Sequence, residues 1–273
     1  MRLFFHRALR SQILPGERDV IVAVPSDYES APLLRYPVLY MHDGQNLFDG
    51  RTSFIPGQAW QIQDTAQSLI NRRKIAPLIL VGIYNAGESR IEEYTPTRVG
   101  ERGGFADLYG QMLVEELKPF IDFQYRTRPE RTHTGLGGSS LGGLVSLYLG
   151  IRHARTFSRV AAMSPSAWWD NKAIVRLVEA LPEKLPLQIW LDIGASEGER
   201  IVADVRSLRD ALIAQGWESG YDLSYLEARH DRHTEKSWGK RFGRVLRFLY
   251  SRRAHGVRAA YQSSGDGSSA SSA

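Results

Sequence analysis

The chain is 273 residues long, 42% of them hydrophobic, with a formal charge of +5 and no cysteine. That length and apolar share suit one large α/β domain and argue against a disordered chain. The lack of cysteine excludes disulfides, thiolate metal sites and a cysteine nucleophile. The basic excess lies in short runs such as Arg72-Arg73-Lys74 and Arg252-Arg253. These read as solvated helix faces, and with no zinc-finger spacing or aromatic RNA-binding stretch beside them, no nucleic-acid partner is expected.

In chain order, Met1–Arg10 carries an apolar patch too short and too broken by charge for a secretory leader. No apolar run approaches the roughly 18 residues of a membrane span, so a cytoplasmic protein without a membrane partner is expected. Val20–Val24, Pro37–Met41 and Leu78–Ile83 are short apolar runs that read as strands. Ala106–Ile121 then shows helical spacing through Leu108, Met112, Leu113, Leu117 and Ile121. A short strand-like segment leads into the glycine-rich Gly135–Gly143, and Leu141–Ile151 reads as an apolar helix. Arg159–Met163, Leu187–Ile193 and Tyr221–Leu226 continue the strands, with helices at Arg200–Ile213 and Trp238–Tyr250. Several strands are apolar throughout, which suits burial on both faces of a mostly parallel sheet. Strands alternating with helices predict a doubly wound, mostly parallel α/β sheet with helices on both faces, and the serine motif of Gly138–Gly142 makes the α/β-hydrolase fold the expected type. The domain is expected over 1–255, with 256–273 a flexible Ser/Gly/Ala-rich tail.

The chemistry-bearing segment is Gly138-Ser139-Ser140-Leu141-Gly142, which fits G-x-S-x-G with Ser140 at the centre. Such a motif makes a tight strand-to-helix turn with a strained serine at its apex, and the glycines let neighbouring backbone approach. The following helix aims its N-terminal N–H groups at the site, so the N–H of Leu141 becomes an oxyanion donor. Neither a P-loop nor G-x-G-x-x-G fits these glycines.

A serine hydroxyl needs a base and an orienting acid, in the chain order Ser, Asp/Glu, His for this fold. The strand Leu187–Ile193 runs into Gly194-Ala-Ser-Glu-Gly-Glu199. Glu197, just past the strand end, is the preferred acid over Asp192 and Glu199. His230 and His233 compete as the base in the loop after Tyr221–Leu226. A His230/His233 metal pair lacks a third ligand by spacing, so no metal is expected. A second oxyanion donor should come from Met41–Phe48, where Asp43 and Gly44 make a turn after an early strand. Trp168 and Trp169 either line an acyl or aryl pocket or pack in the core. Arg90 and Glu92-Glu93-Tyr94 lie near the expected entrance.

These segments together resemble the esterase family that includes enterochelin-type esterases, feruloyl esterases and mycolyltransferases. The resemblance spans roughly residues 12 to 250. It rests on His42–Phe48, Glu93-Tyr-Thr-Pro96, Gly138–Gly143, Met163-Ser-Pro-Ser-Ala-Trp-Trp169 and the late Gly-x-x-Glu and His-x4-Trp segments. It implies a nucleophile at Ser140, an acid at Glu197 and a base at His233, whose spacing to Trp238 fits while that of His230 does not. It also implies a second oxyanion N–H from Gln45. The acid is often Asp in relatives, so Glu here departs from the pattern.

The expected activity is hydrolysis of a small-molecule carboxylic ester through an acyl-enzyme, with no metal or organic cofactor. Acyl transfer by the same residues, or a non-catalytic binding role on a hydrolase fold, are the alternatives. The natural ester and the oligomeric state are not encoded in any motif.

Overall fold

A computed structural model describes residues 1–251, so Arg252-Arg253 and the 256–273 tail lie outside the described residues. Eight strands form one sheet in the order β1-β2-β4-β3-β7-β8-β9-β10. They are β1 (Arg2–Arg10), β2 (Glu17–Val24), β3 (Val38–His42), β4 (Ile79–Ile83), β7 (Thr134–Ser139), β8 (Arg159–Met163), β9 (Gln188–Gly194) and β10 (Leu223–Ala228). β5 (Arg98–Val99) and β6 (Arg102–Gly103) make a separate small hairpin. β1 and β2 pair antiparallel, β2 meets β4 antiparallel, and β4, β3, β7, β8, β9 and β10 are joined by parallel pairings.

The helices are α1 (Ile62–Asn71), α2 (Arg90–Tyr94), α3 (Ala106–Met112), α4 (Lys118–Gln124), α5 (Leu141–Arg152), α6 (Trp169–Glu179), α7 (Glu199–Ala214) and α8 (Glu235–Leu249). Among the described residues no helix is long and apolar enough to cross a membrane.

The apolar strands are apolar on both faces because both faces are covered. Val38 and Tyr40 of β3 face one core while Leu39 and Met41 face the other, the two-residue alternation of a pleated strand. Val160 and Ala162 of β8 share the first core, Ala161 and Met163 the second. The first core takes in α5 and α7; the second takes α1 and α8. α5 is buried at ten of its twelve positions, so it is apolar nearly all round. α8 instead buries one face, through Trp238, Phe242, Val245, Leu246 and Leu249. Each such fully buried large side chain contributes roughly 1.5–3 kcal/mol.

The structure adds elements that the sequence patterns did not suggest: β1, α1, α2 and α6. The Ala106–Ile121 run extends to Gln124 as α3 and α4 with a π-helical stretch at Leu113–Leu117 between them. α8 starts at Glu235 rather than Trp238 because Thr234 caps it, accepting from the Ser237 N–H at 3.3 Å. β3 and β7 are neighbours, and the chain leaves β3 toward β4 but leaves β7 toward β8, so their connections run to opposite edges of the sheet. Such a switch point, at the carboxyl ends of parallel strands, is where α/β sheets place ligands.

Candidate active site

Ser140 stands at the carboxyl end of β7 with φ 58° and ψ −124°, a conformation disfavoured for any residue with a Cβ. The surroundings impose it. The Ser140 N–H donates to the Met163 carbonyl at 3.1 Å, and its own carbonyl accepts from the N–H groups of Ser166 and Leu144 at 3.1 and 3.0 Å. The glycines are required by contact: a Cβ on Gly138 would lie 2.8 Å from the Gly142 carbonyl carbon. A Cβ on Gly143 would lie 2.8 Å from the Met163 oxygen. Leu141 opens α5, so its N–H belongs to the positive end of a buried twelve-residue helix. The Ser140 hydroxyl lies 3.4 Å from that of Ser166.

The neighbouring strand β3 ends at His42 and is followed by Asp43, at φ 58°, and a 3-10 turn over Gly44–Asn46. Gly44 packs directly on β4, where a Cβ would come within 2.6 Å of the Gly82 carbonyl carbon. The Asp43 carboxylate is buried and occupied within the protein. Arg90 donates to it through Nε at 2.6 Å and Nη2 at 2.8 Å, and Asn85 Nδ2 adds a bond of 2.7 Å. The Arg90 guanidinium also lies over the Tyr94 ring at 5.1 Å. Asp43 is thus placed to hold the loop that carries Gln45. Gln45 is tied down by Asn85 N–H on its Oε1 at 3.3 Å and by Thr52 Oγ1 on its carbonyl at 2.7 Å.

On the other side of β7, His233 Nδ1 meets Glu197 Oε2 at 2.6 Å. The Glu197 side chain is fully buried while that of His233 is 42% exposed. Burial alone would push the Glu197 carboxyl up. Hydrogen bonds from His233, Ser164 and the Gly194 N–H outweigh it and hold the group below the usual glutamate value, so it is charged at neutral pH. The His233 ring stands edge-on to Trp238, centroids 4.7 Å apart. The two rival acids are placed elsewhere. Asp192 is fully buried in β9, its oxygens taken by Arg241, the Ser164 N–H and Trp190 Nε1. Glu199 is exposed at the start of α7. His230 is exposed on the turn after β10.

The two tryptophans separate. Trp168 is 45% exposed, whereas Trp169 is buried and donates its indole N–H to the Thr97 carbonyl at 3.1 Å. Trp169 thus takes the core-packing alternative, beside the β5–β6 hairpin, while Trp168 is exposed. Sequence reading missed Ser166, Ser164, Asn46, Glu235 and Arg241. Asn46 Nδ2 donates to the buried Glu235 at 3.2 Å, tying the turn after β3 to the first turn of α8. The one signal for the two serines was Ser-Pro-Ser directly after an apolar strand.

The family described as "Putative esterase" matches residues 11–249. Bacillus subtilis "Uncharacterized protein YbbA" is 23% identical over 87% of this chain and 94% of its own length. The iron(III) salmochelin esterase of Escherichia coli O6:H1 is 30% identical over 76% of this chain, which spans half of that protein. The crystal structure of the Shigella flexneri enterobactin esterase in the presence of enterobactin superposes with a TM-score of 0.75, at 19% identity. That match covers 91% of this chain and 58% of the other. The chain therefore belongs to the Putative esterase family and is a carboxylic-ester hydrolase built on the α/β-hydrolase fold.

Proposed function

We propose that the chain is a serine esterase that works through an acyl-enzyme on Ser140. The observation that carries this reading is the Glu197–His233 pair, 2.6 Å across, on the same sheet edge that presents Ser140 on a strained elbow. Ser140 Oγ bonds to the ester carbonyl carbon while His233 Nε2 accepts the hydroxyl proton. Glu197 holds Nδ1–H, sets the tautomer and stabilises the imidazolium. The N–H groups of Leu141 and Gln45 receive the oxyanion, each worth roughly 100- to 1000-fold in kcat. The C–O bond of the ester then breaks, the alcohol leaves with the proton from His233, and water resolves the acyl-enzyme by the reverse use of the same groups. No step requires a metal or an organic cofactor.

The substrate is a small-molecule ester, with Trp168 on the acyl or alcohol side. Iron(III) salmochelin and enterobactin, the compounds for which two of these similar esterases are named, head the esters to be tried. The direct test is hydrolysis of p-nitrophenyl acetate and butyrate by wild type, Ser140→Ala, His233→Ala and His230→Ala. Loss in the first two variants with retention in the third is expected. Wild-type rates in Ser140→Ala would discard the assigned nucleophile. Adding alcohol acceptors to the same assay and analysing products separates hydrolysis from acyl transfer.

A further inference from the structure

The geometry points to Ser164 as a positioning residue for the reaction: its hydroxyl, gripped by Trp238 and Arg241, aims its single proton at Glu197 and fixes that carboxylate against His233. This rests on the serine-esterase reading above.

Ser164 Oγ has three neighbours: Glu197 Oε1 at 2.6 Å, Trp238 Nε1 at 3.0 Å and Arg241 Nη2 at 3.0 Å. An indole N–H and a guanidinium donate and cannot accept, so they fill the two lone pairs of the hydroxyl. Its one proton is left for Glu197, whichever way a free hydroxyl would turn. Glu197 Oε1 also receives the Gly194 N–H at 2.8 Å. One carboxylate oxygen is thereby tied to the protein and the other, Oε2, is presented to His233.

The surroundings hold Ser164 firmly. It is 1% exposed and has φ 39°, a strained value for a serine. Its N–H donates to the Asp192 carbonyl at 2.9 Å and to Asp192 Oδ1 at 3.1 Å. Arg241, 3% exposed, is balanced by Asp192 at 2.9 Å and Asp231 at 3.0 Å, with Lys240 also on Asp231. A buried cation thus stands one hydroxyl away from the Glu197 carboxylate. Trp238 touches both ends of the pair, with its N–H on Ser164 and its ring against His233.

Removing the hydroxyl takes one donor from Glu197. The carboxylate becomes more basic and less fixed, and it holds the imidazolium proton more tightly. A lost hydrogen bond to a charged group corresponds to a fall in kcat of roughly 10- to 100-fold.

The test is p-nitrophenyl butyrate kinetics from pH 5 to 9 on Ser164→Ala and Ser164→Gly, with Ser140→Ala as reference and thermal melts of each. Glycine suits the positive φ, so Ser164→Gly keeps the fold while removing the hydroxyl, and it decides the matter if the alanine variant unfolds. The expected result is the stated fall in kcat with KM unchanged and the acid limb of the profile moved to higher pH. A folded Ser164→Gly with wild-type kcat and an unmoved acid limb overturns the assignment, as does a change confined to KM. Full activity in Ser140→Ala would instead remove the nucleophile on which the assignment depends.

Discussion

The two flanks of the sheet's carboxyl edge are built from different materials. On the β7–α5 flank, Ser140 is held by main-chain hydrogen bonds and by glycines too close to other backbone to bear a side chain. On the β9–β10 flank, Glu197 and His233 are held by side chains: Ser164, Trp238, Arg241, Asp192 and Asp231 form one buried polar network. The first flank stores backbone strain in a rigid turn. The second concentrates charge that stays buried because each group is paired. A backbone device tolerates little change of volume, whereas a side-chain network tolerates volume but not loss of a partner.

That contrast can be broken from either side. The largest effect is expected in the charged flank: Glu197→Gln keeps the shape but removes the charge, and should lower kcat roughly 10,000-fold by analogy with the acid of other triads. Steady-state kinetics with a folded variant check it, and a loss of under tenfold would count against the assigned acid. Next comes the loop after β3. Asp43→Ala frees Arg90 and Asn85 and loosens Gln45, and displacement by about 1 Å costs up to roughly 100-fold in kcat. Unchanged kcat would mean that the loop is held without Asp43.

The backbone flank should respond in stability. Gly138→Ala drives a Cβ into the Gly142 carbonyl carbon, and overpacking of this kind costs about 1–3 kcal/mol. Urea unfolding of the variant measures it, and an unchanged midpoint would show that the elbow yields. The smallest effect is a pH dependence. Burial lowers His42 from 6.5 to about 4. Between those values the unfolded chain binds a proton that the folded chain refuses. The stabilisation is therefore complete above pH 6.5 and is lost as the pH falls towards 4. The melting temperature of wild type should fall more steeply across that window than that of His42→Asn. Parallel slopes would indicate that His42 stays protonated when folded.

Legibility in the sequence follows the same division. The elbow is a local pattern, five residues between a strand and a helix, and its geometry is decided by which residues lack a Cβ. The strands of the parallel core were legible because burial on both faces makes them continuously apolar. β1 was not, because charged and polar residues break its apolar run: Arg2 and His6-Arg7 flank only the three residues Leu3-Phe4-Phe5. α1 and α6 were missed for a related reason, since each buries only a few residues. Trp168 and Trp169, identical in type and adjacent in sequence, went to opposite environments, one exposed and one buried, at an irregular entry to α6 where Asp170–Lys172 are left-handed.

The sequence by itself determined the sheet's apolar core, the elbow and the carboxylate and imidazole candidates, because these depend on residue type, spacing and chain order. Only the tertiary structure decided which carboxylate meets which histidine. It also decided that Asp192 serves Arg241 rather than His233, and that Ser164 lies between Glu197 and a buried cation. Those outcomes join residues 164, 192, 197, 233 and 241, brought together by the pairing of β8 with β9 and β9 with β10 and by the packing of α8. Hydrogen bonds are directional and act over about 3 Å, so their partners are set by where separate strands end in space.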